Sequence, residues 1–415
     1  MKTKATMAGW KETRLGDVCQ IELGRTPTRN NPKFWDTEKV ADNVWLTIAD
    51  LPQTLNAHVS ESKEHITIEA ATKGKIVPKG TLLVSFKLTL GRLAFAGRDL
   101  YTNEAIAALT IRDEKVISKK YLYWYLTYFD WDKAAEGEEK IKGKTLNKKK
   151  LMSLPVILPS LSEQKRIVTV LDKAFTAIET ATANTKRNIA NVQELFESEL
   201  YRIFYAPKSV EKSGDSEMMG NMYKVGDVCH IAKKKHNGDL LPYLGLEHIE
   251  GGTGQLACAP TPEKVKSPTF YFNETHLLYG RLRPYLNKVF LPDFEGHCTT
   301  EIFPIQCGPE LHRRFLFYWL IDKTTVAAIN RTSTGARMPR ANVNALLDFK
   351  FRIPPIHEQK QIVAVLDKIF ENINTATDNA KSKIDALTNL KQSVLHRAFA
   401  GKLTANTVAG RIARP

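Results

Sequence analysis

The chain has 415 residues, of which 43% are hydrophobic and 25% are charged, and its formal net charge is +15. This composition is typical of a folded, water-soluble protein with two or more domains. The first residues contain no apolar segment that could act as a signal peptide, and no run is long enough to cross a membrane. These features predict a cytoplasmic protein. Cys19 and Cys229 stand in matching contexts, so we predict that both are buried core residues rather than disulfide or metal partners.

Residues 1–157 predict a globular module of short strands and helices. Short Val/Ile/Thr/Phe runs alternate with Gly and Pro, which is typical of an α+β arrangement. Residues 206–352 predict a second module with the same frame but little shared sequence. The frame consists of a short opening segment, a run of apolar and basic residues, a Glu beside apolar residues and an aromatic helix. In the two modules these segments are Leu15–Cys19, Leu82–Gly91, Asn103–Ile106 and Tyr121–Leu126, then Val225–Cys229, Leu277–Pro284, Thr300–Phe303 and Phe315–Leu320.

Each module is followed by a segment that predicts one long helix, over 158–205 and over 353–405. The two segments are near-copies placed 195 positions apart, and about half of their aligned positions are identical. A repeat of this length indicates a duplicated structural unit. A negative charge enters the first turn of each helix at Glu163 or Glu358, where the helix dipole favours it.

Apolar residues recur at three- and four-residue spacing along both predicted helices. The positions include Val170 and Leu195 in the first helix and Val365 and Leu390 in the second. About 40 residues form a rod of ~60 Å, which cannot bury such a stripe against itself. We therefore predict that the two helices form an antiparallel coiled coil. The alternative is that each helix packs separately on its own module.

The predicted fold class is thus α+β. Two modules of mixed short strands and helices are separated by two long helices in an antiparallel coiled coil, with a pseudo-two-fold internal repeat. The positive charge is concentrated in the modules. Residues 1–157 contain 26 Lys or Arg against 19 Asp or Glu, whereas 158–205 contain 6 of each. This distribution is expected if the modules contact a polyanion. The alternative is that the charges are scattered over solvated surfaces.

Several polar and basic loops of the modules are candidates for DNA contact. Arg and Lys can bind phosphate or guanine, and Asn can pair with adenine in the major groove. In the first module the candidates are Arg25, Thr26, Thr28, Arg29, Asn30, Lys142, Lys144, Thr145, Asn147 and Lys148. In the second module they are Lys233, Lys234, Lys235, His236, Arg281, Arg283, Tyr285, Arg337, Arg340 and Asn342.

Enzyme signatures are incomplete. The glycine-rich stretch from Gly137 to Thr145 has one residue too many for a phosphate-binding loop, and it follows a helix-like segment rather than a strand. Asn31–Phe34 has Lys where the motif of amino-methyltransferases requires a second Pro. The ten histidines show no metal-ligand spacing. We predict no catalytic residue and no metal ligand in this chain.

The assembled pattern resembles the specificity (S) subunit of type I restriction–modification systems. The resemblance rests on Gly24–Trp35 with Val44–Leu51, and on the two Pro-x-x-x-Glu-Gln-Lys-x-Ile-Val entries that begin at Pro159 and Pro354. It covers essentially the whole chain. The second module departs from it, because Ala232–His236 stands where the first module has its Gly-x-Thr-Pro opening.

The resemblance implies two target-recognition domains, each of which reads one half of a split site in double-stranded DNA. It implies that two methyltransferase (M) subunits clasp the helices and that restriction (R) subunits join through them. S-adenosylmethionine, ATP and Mg would then belong to the partners and not to this chain. Residues at the two helix entries are the candidates for partner binding: Glu163, Gln164, Lys165, Glu358, Gln359 and Lys360.

The sequence is also compatible with two other functions. One is a stand-alone DNA-modifying enzyme, and the other is a structural coiled-coil connector without a role in DNA binding. The absent enzyme motifs weigh against the first function, and the basic modules weigh against the second.

Overall fold

The computed structural model describes residues 9–136, 139–140, 143–205, 220–236, 238, 240–335 and 337–403, with backbone alone for 139–140 and 143–144. The chain divides into two compact units. Unit 1 comprises Met1–Thr182 and Asp385–Pro415, and unit 2 comprises Ala183–Ile384. Each unit therefore contains one module together with part of each long helix.

The module of unit 1 is built around a five-stranded sheet with the strand order Cys19–Leu23 (β2), Ile106–Ile111 (β10), Leu82–Ser85 (β6), Leu93–Ala96 (β8) and His58–Val59 (β4). Every residue of β6 is buried, as its continuous apolar run predicts. The chain order in this module is β1 (Lys11–Arg14), α1 (Leu15–Val18), β2 (Cys19–Leu23), β3 (Asn43–Leu46), β4 (His58–Val59), β5 (His65–Ile66), α2 (Ile68–Thr72), β6 (Leu82–Ser85), β7 (Lys87–Leu88), β8 (Leu93–Ala96), β9 (Tyr101–Thr102), β10 (Ile106–Ile111), α3 (Lys119–Tyr128), α4 (Trp131–Ala134), β11 (Glu139–Lys140), β12 (Gly143–Thr145), α5 (Lys148–Met152) and β13 (Pro155–Leu158).

The module of unit 2 repeats this plan. Its sheet has the strand order Cys229–Ile231 (β15), Ile302–Cys307 (β21), His276–Gly280 (β18) and Val289–Phe290 (β19), which matches β2-β10-β6-β8 of unit 1. A terminal antiparallel pair closes each module: β1 with β13 in unit 1, and Asn221–Lys224 (β14) with Lys350–Ile353 (β22) in unit 2. The elements are β14 (Asn221–Lys224), α7 (Val225–Val228), β15 (Cys229–Ile231), β16 (Tyr243–Leu244), β17 (Thr269–Phe272), β18 (His276–Gly280), β19 (Val289–Phe290), β20 (Gly296–Thr299), β21 (Ile302–Cys307), α8 (Arg313–Ile321), α9 (Lys323–Arg331), α10 (Val343–Asp348) and β22 (Lys350–Ile353).

The two predicted long helices are α6 (Leu161–Phe204) and α11 (Ile356–Phe399), each of 44 residues. At 1.5 Å per residue each is about 66 Å long. In unit 1 the Nζ of Lys391 on α11 lies 3.9 Å from a carboxylate oxygen of Glu179 on α6.

In unit 2 the two helices run in opposite directions. The rings of Phe196 on α6 and Phe370 on α11 lie 5.5 Å apart. Earlier residues of α6, from Thr185 to Val192, line a groove with later residues of α11, from Ala376 to Lys383. The antiparallel coiled coil is confirmed, and the alternative of two separately packed helices is wrong.

An aromatic helix joins each module to a long helix through one carboxylate. In unit 1 the indole N–H of Trp124 on α3 donates to Asp172 at 2.8 Å. In unit 2 the hydroxyl of Tyr318 on α8 donates to Asp367 at 2.6 Å, and Arg314 pairs with the same carboxylate. Because Asp172 and Asp367 are repeat-equivalent, the duplication extends to this polar joint.

The predicted burial of the matching cysteines is confirmed. Cys19 is 0% exposed and Cys229 is 6% exposed. Burial raises the pKa of each thiol to about 12, so both remain protonated at neutral pH.

Within the described ranges, no helix combines the length and the apolar character needed to cross a membrane.

Candidate nucleic-acid interface

The loop from Gly24 to Asn31 is held in place by backbone contacts in unit 1. Gly24 lies so close to the neighbouring chain that an added Cβ would be 2.1 Å from the carbonyl oxygen of Thr102. The amide of Arg25 donates to the same carbonyl at 2.8 Å. The indole of Trp45 donates to the carbonyl of Arg25 at 3.0 Å. These contacts explain why the loop begins with glycine.

Arg29 is the most constrained candidate of this loop. Its guanidinium lies 4.3 Å from the ring centroid of Trp35 and 4.7 Å from that of Trp45, and it pairs with Glu64. Thr28 and Asn30, by contrast, are exposed, and their side chains have no hydrogen bond in the part of the chain that the structure describes. Thr28 and Asn30 are therefore the residues of this loop that can meet a ligand without losing an internal contact.

A second candidate surface of unit 1 is formed where β7 pairs with β12. Leu88 is opposite Lys144, and Lys87 is opposite Thr145. Leu88 has a positive φ of 64° and is 53% exposed, although it is apolar. Strained backbone of this kind is concentrated at binding sites. The sequence prediction missed Lys87 and Leu88, although they lie in the run of apolar and basic residues that both modules share.

The remaining candidates of unit 1 lie on the segment from Lys142 to Lys148. Lys142 and the side chain of Lys144 lie outside the described residues. Lys148 is exposed. The side-chain oxygen of Asn147 accepts the amide of Lys150 at 2.8 Å, so Asn147 is the N-cap of α5. Asn342 caps α10 in unit 2 in the same way. The cap occupies the acceptor of each side chain and leaves its NH₂ group for any base contact.

The structure brings two of the predicted loops of unit 2 together. The amide of Arg283 donates to the carbonyl of Pro339 at 2.7 Å, and the amide of Ala341 donates to the carbonyl of Arg281 at 2.8 Å. Arg283, Tyr285 and Arg337 are exposed on this loop pair. Arg283 has a positive φ of 51°. The loop pair corresponds to β7 and β12 of unit 1, so both modules present strained, partly basic loops at the same place in the fold.

One glutamate anchors the basic loops in each module. In unit 2, Glu301 accepts two hydrogen bonds from Arg340, at 2.8 and 2.9 Å, and lies 3.8 Å from Arg281. Arg340 and Arg281 therefore hold the loop through Glu301, and their DNA contacts stay predictions.

In unit 1 the corresponding residue is Glu104. Its partial burial by itself would raise its pKa. The hydrogen bonds from Thr26 and from its own backbone amide, together with the charges of Lys87 and Arg29, outweigh burial and hold the pKa of Glu104 below its usual value.

The basic run Lys233–His236 lies beside β17 rather than on the paired loops. The amide of Tyr271 donates to the carbonyl of Lys234 at 2.8 Å, and the ammonium group of Lys234 lies 4.7 Å from the Tyr271 ring. The ring of His236 stacks on that of His297 at 4.2 Å. Lys233 and Lys235 are exposed.

Gln164 and Gln359, which the sequence nominated for partner binding, are buried and present no surface for a direct partner contact. Both are 0% exposed. The side chain of Gln164 accepts the amide of Ser118 at 2.9 Å and donates to the carbonyls of Val116 and Pro159. The side chain of Gln359 makes the equivalent three bonds, with His312, Glu310 and Pro354. Each glutamine locks the start of a long helix to its own module.

The other residues at the helix entries remain accessible. Lys165 and Lys360 are exposed, and the side chains of Glu163 and Glu358 are 21% and 27% exposed. Their partner contacts stay predictions.

Four apolar residues that the sequence placed in the buried stripe lie on the surface instead. They are Val170, Leu195, Val365 and Leu390, with exposed fractions of 37%, 71%, 56% and 47%. They form two repeat-equivalent pairs, each 195 positions apart. Spacing alone could not separate them from the buried residues of the stripe, because neighbouring helical positions share one broad apolar face.

Among the described residues, no group of three or more His, Cys, Asp or Glu side chains is arranged to hold a metal ion.

The comparisons with known proteins agree with the duplicated architecture. Residues 7–189 and residues 220–386 match the family model described as Type I restriction modification DNA specificity domain. The chain belongs to this family. The two matches together extend over most of both modules and both long helices, which identifies them as two copies of the specificity domain.

Curated relatives cover long stretches of the chain at low identity. The chain is 25% identical over 323 residues to the specificity subunit of the type I restriction enzyme EcoDI from Escherichia coli, covering 70% of this chain and 71% of the relative. It is 21% identical over 430 residues to the MjaIX specificity subunit from Methanocaldococcus jannaschii, covering 95% and 93%.

Two solved structures share the fold, each at 17% identity. One comes from a study of complex assembly and conformational transition of the type I R-M system; it has a TM-score of 0.73 and covers 96% of this chain and 100% of its own. The other is the HsdS subunit from Thermoanaerobacter tengcongensis, with a TM-score of 0.56 and coverage of 97% and 99%.

Proposed function

We propose that this chain is the DNA specificity subunit of a type I restriction–modification complex, and that each module reads one half of a bipartite duplex target. The observation that carries the proposal is the duplicated specificity domain, whose two copies keep one scaffold and differ in their loops. Two copies of one scaffold that differ in their loops are suited to bind two half-sites of different sequence.

The paired loops are the proposed reading surface of each module. In unit 2 they expose Arg283, Tyr285 and Arg337, and in unit 1 the related loops place Lys87 and Leu88 beside β12. Cationic side chains can bind phosphate or guanine, and apolar ones can contact the methyl group of thymine. Thr28 and Asn30 add uncommitted polar groups in unit 1.

The exposed apolar residues of the long helices are the proposed docking positions for methyltransferase subunits. Val170 and Leu390 belong to unit 1, while Leu195 and Val365 belong to unit 2. Their exposure recurs at equivalent positions of the two duplicated helices, as two copies of one docking site would require. Because each unit carries an equivalent pair, the duplication supports two methyltransferase subunits per chain, with restriction subunits joining through them.

The chain has no catalytic role in this proposal. S-adenosylmethionine, ATP and Mg would be bound by the partner subunits, and this chain would supply the position on DNA at which they act.

Methylation mapping tests the proposal directly. In cells that express the chain with its partners, methylated adenines should occur in a bipartite motif, and exchanging residues 206–352 for another module should change only one half of that motif. Purified chain alone, given S-adenosylmethionine and DNA, should incorporate no methyl groups. Methyl transfer by the isolated chain would favour the stand-alone enzyme.

Substitutions in the loop pair of unit 2 separate DNA reading from a purely structural role. Arg283→Gln combined with Arg337→Gln should weaken DNA binding by the assembled complex. If both contact phosphate, the slope of log affinity against log salt should become shallower by about 0.9 for each lost contact. Arg352→Gln, an exposed control in β22, should leave the slope unchanged. Equal affinity for all three proteins would favour the connector.

The long helices should also set the length of the unread DNA between the half-sites. Adding four residues to α6 within 176–190, with a matched addition in α11, lengthens each helix by about 6 Å. This corresponds to roughly two base pairs at 3.4 Å each. The methylated motif should keep both half-sites and gain spacer. An unchanged spacer with full affinity would contradict this role for the helices.

A further inference from the structure

A cavity of about 310 Å³ lies in unit 1 between the Gly24–Asn31 loop and the segment that follows α2. This volume is at the lower end of the roughly 300–1,000 Å³ range of small-molecule sites. Its wall includes three aromatic side chains, from Phe34, Trp45 and Tyr101. Phe34 and Tyr101 are partly exposed and can contact a flat aromatic ligand, whereas Trp45 is 0% exposed and supports them from within the core.

Positive charge surrounds the aromatic wall. Arg25, Lys73 and Lys75 line the cavity, and none of its described lining residues is acidic. Lys73 and Lys75 make ion pairs with Glu69 and Glu22 at 3.1 and 3.2 Å, but both lysine side chains are at least half exposed. Exposed ion pairs of this kind are weak, so both ammonium groups can turn toward an anion.

Thr102 contributes a polar side chain to the wall of the cavity. The residue is 2% exposed, and its hydroxyl oxygen has no hydrogen-bond partner among the residues that the structure describes. Buried hydroxyl groups are nearly always paired in folded proteins. An unpaired hydroxyl in the wall of an aromatic, cationic cavity indicates a ligand with a hydrogen-bonding edge.

We propose that this cavity binds a nucleotide, with the base against the aromatic wall, the edge of the base on Thr102 and the phosphate at Lys73 and Lys75. Two sources can supply this chemistry: a free nucleotide, or a base that has left the stack of a bound duplex. The second source rests on the proposed function, whereas the first does not.

Calorimetric titration of the full chain tests the site. Deoxyadenosine and thymidine 5′-monophosphates are the probes, and at least one should bind with a Kd of about 1 mM or tighter. Thr102→Val keeps the shape and removes the hydroxyl, so it should raise this Kd roughly fivefold or more. Because the hydroxyl is unpaired in the free protein, the same variant should leave the Tm unchanged or raise it.

A second variant changes a charge at the cavity without changing the buried core. The side chain of Lys75 is exposed, and Lys75→Gln should weaken nucleotide binding severalfold. Lys63 is an exposed lysine outside the cavity, and Lys63→Gln should not weaken nucleotide binding. The proposal is overturned if neither nucleotide binds, or if Thr102→Val and Lys75→Gln bind as tightly as the wild type.

A duplex experiment then identifies the source. The complex with its methyltransferase partners is titrated with a fully paired target and with the same target carrying one unpaired adenine. If the duplex with the unpaired adenine binds more tightly and Thr102→Val abolishes this difference, the ligand is a base from DNA. If the two duplexes bind equally and mononucleotide binding is retained, the ligand is a free nucleotide. Mononucleotide titration does not depend on duplex affinity, so its failure would leave the proposed DNA-binding function untouched.

Discussion

Replacing Gln359 by methionine removes three hydrogen bonds at the joint between α11 and the module of unit 2. The amide group accepts from the backbone of His312 at 2.8 Å and donates to the carbonyls of Glu310 and Pro354 at 2.7 and 2.8 Å. The side chain is fully buried, so water cannot replace these partners. Methionine has a similar length and flexibility, which limits the steric effect of the change.

The expected loss follows from these contacts. Three hydrogen bonds at a net contribution of about 1 kcal/mol each predict a decrease of about 3 kcal/mol in the free energy of unfolding. For a unit of about 200 residues, this corresponds to a Tm lower by roughly 6–12 °C. Calorimetry measures the change, and hydrogen exchange should show faster exchange in α8 and the first turns of α11. Gln164→Met should have the same effect in unit 1.

Lys360→Met is the matched control, because Lys360 is adjacent in sequence and exposed. It should change the free energy of unfolding by no more than about 0.5 kcal/mol. The reasoning is refuted if Gln359→Met keeps the wild-type Tm within about 1 °C but weakens binding of the methyltransferase subunit. That result would return Gln359 to the partner-binding role that the sequence predicted.

Three further predictions follow from the helices and the loop anchors. Leu195→Ser and Leu390→Ser should each lower methyltransferase affinity by about tenfold, since burying a leucine contributes about 1.5–3 kcal/mol, while exposed Val40→Ser should not. Native mass spectrometry checks the stoichiometry, and full affinity in both serine variants would rule out these docking positions. Asp367→Ala leaves the fully buried Tyr318 without its hydroxyl partner and should destabilise unit 2 by about 1–3 kcal/mol in urea unfolding; an unchanged midpoint would contradict the joint. The folded pKa of Glu104 lies below its usual value of 4.5, so its ionised form stabilises the protein above that pH, and the stabilisation is lost as the pH falls through the folded pKa. Glu104→Gln should therefore flatten the loss of stability below pH 4.5, and an acid unfolding curve identical to that of the wild type would count against the anchor.

The sequence alone was sufficient to predict the two long helices and the internal repeat. Apolar spacing, the acidic first turns and the absence of interior Pro or Gly are local properties of the chain, and the backbone hydrogen bonds of a helix join residues four apart in sequence. The matching contexts of Cys19 and Cys229 likewise predicted burial correctly, because both belong to a frame that the two modules share.

The tertiary structure alone decided which polar and apolar side chains are accessible. Gln164 and Gln359 look like surface residues beside charged neighbours, yet carbonyl and amide groups from distant parts of each module surround them. Leu195 and Leu390 look like core residues, yet they are 71% and 47% exposed among the described residues. Helical periodicity fixes the angle at which a side chain leaves its helix, but burial depends on what packs at that angle, and this information is not local.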